Sequence, residues 1–260
     1  MSAPRADAVG VRPRTGFVAD TLSSSCVDGP GNRFVVFFQG CDFDCIACHN
    51  PQTIPGNAWP DGHCPSHRTV DDLVAEIRRS LPFVSGVTAS GGEATRQWPF
   101  VRDLFETIGR SAGIDHLTRF VDTNGGCEPD VWDQLAPVLD GAMVDLKCVD
   151  DDMHRTLTGR GNERVLASIR RLRELDLLYE VRLLLVGGFN DDPMRVLRTA
   201  AWLAEVDPSM RVKVIGFRRH GTRPHDPPMR EPCRDQLDVA AELLRSVSDF
   251  DVTVVGPAGD

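Results

Sequence analysis

The chain has 260 residues, enough for one large α/β domain or two small ones, and its 41% hydrophobic and 26% charged residues exclude wholesale disorder. Its 29 basic and 38 acidic residues leave a net charge of −9, which argues against nucleic acid or an anionic membrane as a partner. No apolar run reaches the roughly 18 residues of a membrane span, so the eight cysteines sit in a chain that reads as cytoplasmic, where clustered thiols bind metal or do redox chemistry more often than they form disulfides.

Residues 1–15, polar and rich in Arg, Pro and Ala, are expected to form a flexible tail, with a single domain over 16–260. The first predicted strand is Arg33–Gln39, followed by an irregular Pro-, Gly- and His-rich stretch over Pro51–His67. A helix over Val70–Leu81 starts at Thr69 with Asp71 and Asp72 in its first turn. Strand Ser85–Ala89, helix Pro99–Ser111, strand Leu117–Asp122, helix Pro129–Leu139 and strand Gly141–Leu146 come next. Helix Asn162–Leu175, strand Glu180–Val186, helix Pro193–Val206, strand Arg211–Ile215, helix Arg234–Val247 and an edge strand at Val252–Val255 complete the alternation. Strands alternating with helices at this spacing predict βαβ units on a mostly parallel sheet. Six such units fit an open, partial (β/α)6 TIM-like barrel better than a closed eightfold one.

Cys41, Cys45 and Cys48 form a C-x3-C-x2-C triplet directly after the first predicted strand. Three thiolates from one loop can hold three irons of a cubane [4Fe–4S] cluster, whereas such clusters usually take four cysteines. A missing fourth ligand leaves one iron open, as catalytic zinc keeps a vacant position that structural zinc lacks. Spacing alone also admits a zinc knuckle with His49, His63, Cys64 or His67 as the fourth ligand. Gly91 and Gly92 permit close backbone approach and Glu93 offers a carboxylate to a cationic amino group, although a lone Gly-Gly after a strand is by default a turn. Lys147 is one of only two lysines and lies two residues from Asp145 on one side of a strand, where a structural ion pair is the plainer reading. Each of these groups falls at the C-terminal end of a predicted strand, where parallel barrels gather catalytic residues.

The flanking runs carry a resemblance. Val27-Asp28-Gly29-Pro30-Gly31-Asn32-Arg33, then Phe37-Phe38-Gln39-Gly40-Cys41, Cys45 and Cys48-His49-Asn50 are followed in order by three further runs. These are Val87-Thr88-Ala89-Ser90-Gly91-Gly92-Glu93, Asp122-Thr123-Asn124-Gly125 and Met143-Val144-Asp145-Leu146-Lys147. Over about residues 15 to 250 the chain resembles the radical S-adenosylmethionine (radical SAM) superfamily, and within it the activating enzymes of glycyl radical enzymes, of the pyruvate formate-lyase activating type.

The resemblance implies one [4Fe–4S] cluster on Cys41, Cys45 and Cys48, whose open iron chelates the amino and carboxylate groups of S-adenosyl-L-methionine. It implies contacts to that cofactor from Ala47, His49, Gly91, Gly92, Glu93, Asp145, Lys147, Arg182 and Arg218. A monovalent cation (Na+ or K+) would be held by Asp122, Thr123, the Met143 carbonyl and Asp145. Asp28, Gly29, Pro30, Gly31 and Arg33 would clamp the glycine loop of a partner glycyl radical enzyme, with Arg33 donating to its backbone carbonyls. The implied reaction uses an electron from flavodoxin or ferredoxin to cleave the cofactor to methionine and a 5′-deoxyadenosyl radical, which takes a hydrogen from a glycine Cα. No catalytic side chain beyond the cluster and cofactor is implied, and the chain is expected to be a monomer.

Three features depart from that pattern. Ala47 stands where a larger apolar or aromatic residue usually packs on adenine, the histidine contact of the sixth strand falls on Arg218 with His220 two residues on, and Cys26 directly precedes the Gly/Pro turn. Cys26, Cys64, Cys127, Cys148 and Cys233 form no C-x2-C pair, so a second cluster is not expected, and they join His116, His154 and His225 in structural or surface roles. Two further readings stand beside the first: a radical SAM enzyme acting on a small molecule or peptide, and a non-catalytic zinc-binding protein.

Overall fold

The computed structural model describes residues 14–55 and 64–256. Its strands are β1 (Thr15–Ser25), β2 (Arg33–Phe38), β3 (Ser66–Thr69), β4 (Gly86–Gly91), β5 (Thr118–Thr123), β6 (Gly141–Asp145), β7 (Leu178–Leu185), β8 (Arg211–Gly216) and β9 (Asp251–Val255). The helices are α1 (Val70–Ser80), α2 (Trp98–Arg110), α3 (Asp130–Leu135), α4 (Asp151–Thr158), α5 (Glu163–Glu174), α6 (Pro193–Val206) and α7 (Arg234–Val247). One sheet runs in the order β3-β1-β2-β4-β5-β6-β7-β8-β9. Every neighbouring pair from β2 to β9 is parallel, while β1 lies antiparallel to both β2 and β3. The fold is therefore α/β with a partial TIM-like barrel of six inner strands, as predicted, and the Val252–Val255 run does add a parallel edge strand. Among the described residues, no helix is long and apolar enough to cross a membrane.

Helix ends follow local chemistry. Thr69 and Asp72 form a reciprocal capping box at the start of α1, with Asp71 and Asp72 in the first turn and Arg78 and Arg79 in the last, matching the helix dipole. Leu73 and Ile77, four residues apart, bury its apolar face, each worth about 1.5–3 kcal/mol. Asp192 accepts from the Met194 and Arg195 amides at the start of α6, and Pro193 takes the first position, where its missing N–H costs nothing. The predicted helix over 129–139 stops as α-helix at Leu135 and tightens into a 3-10 turn over Ala136–Val138, where Pro137 cannot continue the ladder.

Three elements were not predicted. β1 breaks its own alternation with irregularities between Val18 and Asp20 and between Leu22 and Ser25, so no period of two shows in its sequence. β3 is four polar residues, and its strand character comes from pairing Thr69 with Thr15 and Ser66 with Val18. α4 is short and polar; Gly159 closes it at φ 74°, and Asn162 ties it down by donating to the Cys148 and Val149 carbonyls at 3.2 and 2.6 Å. Most of the predicted tail lies outside the described residues; of its described part, Thr15 opens β1 and Arg14 pairs with Asp103 at 3.0 Å. His63 also lies outside the described residues.

Arg33 corrects one expectation. Rather than reaching for an incoming peptide, it is fully buried at the N-terminal end of β2. Its five N–H groups go to Thr88 Oγ1 (3.1 Å), the Pro30 carbonyl (3.3 Å), Thr118 Oγ1 (2.5 Å), and the Val87 and Thr118 carbonyls (2.7 and 2.9 Å). Burial lowers its pKa to about 10, so it stays cationic at neutral pH, and it lies 4.8 Å from the Phe120 ring centroid. The guanidinium thus laces β2, β4 and β5 together. It passes so close to β4 that a Cβ at Gly86 would sit 2.0 Å from Nη1. We predict that Arg33→Met lowers unfolding free energy by about 2–5 kcal/mol, read as a lower urea midpoint. Arg33→Lys should recover only part, since an ammonium offers three donors in place of five; a wild-type midpoint for Arg33→Met would refute the bracing role.

Candidate functional site

The parallel register sets the strand ends beside one another. Phe38 of β2 pairs with Gly91 of β4, Thr123 of β5 with Val144 of β6, and Asp145 of β6 with Arg182 of β7. The side chains and loops beyond these ends enclose a cavity of about 300 Å³. Cys41, Cys45 and Cys48 line it together with Asp28, Gly91, Gly92, Glu93, Asp122, Thr123, Asp145, Lys147 and Arg182. Most residues singled out from the sequence therefore converge on one space.

The three cysteines stand on the loop after β2, and all three are free and half-buried. Gly40 N donates to Thr53 O at 2.8 Å, and Glu93 N returns to Gly40 O at 2.8 Å. The far side of the loop hangs on α4, where Asp44 N and Ile46 N donate to the Thr158 and Leu157 carbonyls at 2.9 and 3.0 Å. Arg223 reaches across from the loop after β8 to Asp44 (2.6 Å) and the Cys45 carbonyl (3.0 Å). Sequence reasoning missed α4 and Arg223 in this role; Arg223 is 178 residues from Cys45 and carries no motif.

Burial raises all three thiols: Cys41 far above its usual range, Cys45 to about 11, and Cys48 in the same direction. Burial keeps these thiols protonated, and binding a metal would release their protons to solvent, because coordination ionises a thiol outright. Among the described residues, no three His, Cys, Asp or Glu side chains meet at a point where a single ion would sit. A cubane makes no such demand, since each of its thiolates binds a different iron. The donor set fits a cluster better than a mononuclear zinc knuckle. His67, one of the knuckle's possible fourth ligands, stacks on Phe17 with ring centroids 4.8 Å apart.

Gly91 and Gly92 have a structural requirement of their own. Gly91 adopts φ 112°, and a Cβ there would lie 2.2 Å from Phe38 N; one on Gly92 would lie 2.4 Å from Gly40 O. They let the strand end press against the cysteine loop. Glu93 follows, 2% exposed, and accepts from Thr95 N (2.9 Å), Thr95 Oγ1 (2.6 Å), Thr123 Oγ1 (2.8 Å) and Asn124 N (2.7 Å). Burial pushes its carboxyl up to about 7 despite those four bonds. Only Asn124 N donates to Oε2, which leaves that oxygen able to accept from the cavity.

The basic and acidic groups opposite are already paired. Lys147 Nζ bonds Asp145 at 2.7 Å; burial, the largest single influence, would lower the ammonium's pKa, and the Asp145 charge and hydrogen bond together with Cys45 and Cys48 outweigh it and raise it. Arg182 bonds Asp122 at 3.0 Å and Glu180 at 2.9 Å, and its Nη2 lies 2.9 Å from the Met143 sulfur. Burial pushes the Asp122 carboxyl up while Arg182 draws it down. Of the groups expected around a monovalent cation, Asp122 and Asp145 each face a fixed cationic side chain and Thr123 Oγ1 donates to Glu93.

Asp28 reaches the cavity from the β1–β2 turn, where Ser25 donates to its carboxylate and Thr88 to its carbonyl at 2.7 Å. Gly29 and Gly31 turn the chain with φ 134° and 72°. Ala47 is buried and lines the cavity beside Leu157 and Val186, in a small cluster that also holds Phe217 and Met229. His49 stacks on Phe217 and its Nε2 lies 2.8 Å from the Arg218 carbonyl. The Arg218 guanidinium, expected at the cofactor, turns away to bond the Gly256 carbonyl at 2.7 Å, because the end of the edge strand offers an acceptor nearby. His220 is exposed.

The Radical SAM superfamily pattern matches residues 35–200. A pyruvate formate-lyase-activating enzyme of Staphylococcus epidermidis is 31% identical over 216 residues, covering 79% of this chain and 82% of that protein. A crystallised domain of a pyruvate-formate lyase-activating enzyme from Bacteroides vulgatus superposes with TM-score 0.52 and 25% identity, covering 66% of this chain and 99% of that one. A radical SAM methyltransferase from Sphaerobacter thermophilus shares the fold, with TM-score 0.65 and 19% identity over 85% of this chain and 66% of that one. A matched span of that extent, falling on the cysteine loop and the strand ends that enclose the cavity, makes this chain a member of the Radical SAM superfamily, an oxidoreductase similar to pyruvate formate-lyase-activating enzymes.

Proposed function

We propose that this radical SAM enzyme activates a glycyl radical enzyme, a partner protein from which it removes one glycine Cα hydrogen. The observation that carries the reading is Asp28: the Gly/Pro turn between β1 and β2 delivers it into the same cavity as the three cysteines and Glu93. The 31% identity to a pyruvate formate-lyase-activating enzyme supports it. A second reading, a small molecule or peptide as substrate, is favoured by Arg33 being wholly engaged inside the barrel, which leaves the turn without its expected donor.

In the first reading Cys41, Cys45 and Cys48 would hold one [4Fe–4S] cluster, and the other residues lining the same cavity would bind S-adenosylmethionine. The chemistry these groups supply when bound is one-electron reductive cleavage of the sulfonium and removal of a hydrogen atom from the substrate glycine. Glu93 Oε2 receives the ammonium of the methionine moiety, and Lys147 and Arg182 set positive charge where its carboxylate would lie. Their partners Asp145 and Asp122 keep them ionised and fixed in direction, so little reorganisation is needed on binding. The cavity wall formed by Ala47, Leu157 and Val186 supplies apolar surface for the adenine and excludes water from the reacting carbon. A flavodoxin or ferredoxin is the electron donor in this reading.

Anaerobic incubation of the reconstituted protein with candidate glycyl radical enzymes should give a glycyl EPR doublet on the partner polypeptide. Cofactor cleavage with no doublet on any such partner would move the assignment to the second reading. Cys45→Ala should lose iron and cofactor cleavage together; retained cleavage would remove Cys45 from the ligand set. Cofactor affinity should depend on pH through Glu93. Its carboxyl, held at about 7 by burial, must be ionised to meet an ammonium, so affinity rises as pH climbs through 7 and falls below it, by up to about tenfold per pH unit. Titration calorimetry on the reconstituted protein measures this, and Glu93→Gln should bind weakly at every pH with the slope removed. A pH-independent wild type would contradict the role given to Glu93.

A further inference from the structure

Asn124, just beyond β5, touches both halves of the site. Its backbone N–H donates to Glu93 Oε2 at 2.7 Å. Its side-chain oxygen accepts from Gly126 N at 2.7 Å, and its Nδ2 lies 3.6 Å from Cys41 Sγ and 3.2 Å from Asp42 Oδ1. The orientation of this amide is set by its partners. Gly126 N–H can only donate, so the atom facing it must be the oxygen, and the two hydrogens of the NH2 group must point at the cysteine loop. The turn that holds the amide there is itself fixed: Gly125 has φ 69° and donates to Thr123 Oγ1 at 3.0 Å, and a Cβ on Gly126 would lie 2.8 Å from the Phe43 ring.

We propose that Asn124 is a positioning residue that tunes the cluster through Cys41. The inference rests on the reading that Cys41 is a cluster ligand. A ligating thiolate carries negative charge, and that charge grows when the cluster takes up an electron. An N–H aimed at the sulfur therefore stabilises the reduced state more than the oxidised one and raises the reduction potential. The carboxylates of Asp42 and Glu93, beside the cysteine loop, disfavour added negative charge there, and a neutral donor at the sulfur opposes that effect. Because the same residue holds Glu93, the group that would receive the cofactor is braced against the Cys41 side of the cysteine loop.

The test is an EPR-monitored redox titration of the anaerobically reconstituted holoenzyme, wild type against Asn124→Leu and Asn124→Ser, with iron content measured in parallel. Asn124→Leu removes the donor without adding charge. Asn124→Ser keeps a hydroxyl that can accept from Gly126 N, as serine does in such turns, but is too short to reach the sulfur. At a fixed solution potential, the ratio of reduced to oxidised cluster should fall about tenfold in loaded variants, which is about 59 mV for one electron. A ratio within about twofold of wild type, or one that rises, in a loaded variant would overturn the proposal, because a merely structural role lowers iron content and leaves the potential in place. If Asn124→Leu fails to load, Asn124→Ser decides. A wild-type chain that takes up no cluster would instead overturn the ligand reading beneath it, and the proposal with it.

Discussion

The relative register of the inner strands is the constraint on which every candidate ligand depends. A parallel ladder displaced by one residue turns each side chain to the opposite face, so Asp122, Asp145 and Arg182 share a cavity only in the register observed. Two sets of side-chain bonds hold it. At the N-terminal ends, the buried Arg33 spans β2, β4 and β5 through Thr88, Val87 and Thr118. At the C-terminal ends, Arg182 of β7 reaches past Met143 of β6 to Asp122 of β5, while Glu93 joins the end of β4 to Thr123 and Asn124 after β5. The barrel is laced at both rims, and the upper lacing is made of the groups that face the cavity.

That arrangement puts an unusual density of charge inside the fold. Both lysines of the chain bond carboxylates, Lys147 to Asp145 and Lys213 to Glu180, and Arg182 bonds two. Buried pairs of this kind contribute little net stability compared with apolar packing, although removing one partner is costly. Their presence is better understood as preparation of a binding surface whose dipoles need not move when a zwitterionic ligand arrives. Apolar packing is concentrated elsewhere, between the sheet and the helices, where Val36, Leu104, Ile108 and Leu172 are wholly buried.

The regular alternation was legible because short apolar runs mark the inner strands and some helices carry a start signal, such as Thr69 with Asp72 or Asp192 with Pro193. β1, β3 and α4 were not legible. β1 has irregular pairing, β3 has four polar residues, and α4 is held by Asn162 and Gly159 more than by an apolar face. Yet α4 supplies the carbonyls of Leu157 and Thr158 that suspend the cysteine loop, so an element without a sequence signature supports the one motif that has the strongest. Side-chain direction was equally hidden. Arg33 and Arg218 stand beside motif positions, but one turns into the barrel and the other to the Gly256 carbonyl.

The sequence alone determined the class of chemistry, since a C-x3-C-x2-C triplet, a Gly-Gly-Glu run and an Asp-Leu-Lys run at successive strand ends are short-range facts of residue type and spacing. It also determined the parallel architecture, because hydrophobic period and helix caps are local. Only the tertiary structure decided how each charge is used. Whether an arginine braces strands or faces a cavity depends on acceptors brought near from distant parts of the chain, as Thr118 is for Arg33 and Gly256 for Arg218. The eight cysteines met at the outset are sorted by both rules: Cys41, Cys45 and Cys48 stand together because one short loop carries them, whereas Glu93, Asp145 and Arg182 join them in one cavity because the register of a parallel sheet gathers strand ends, a property no window of sequence contains.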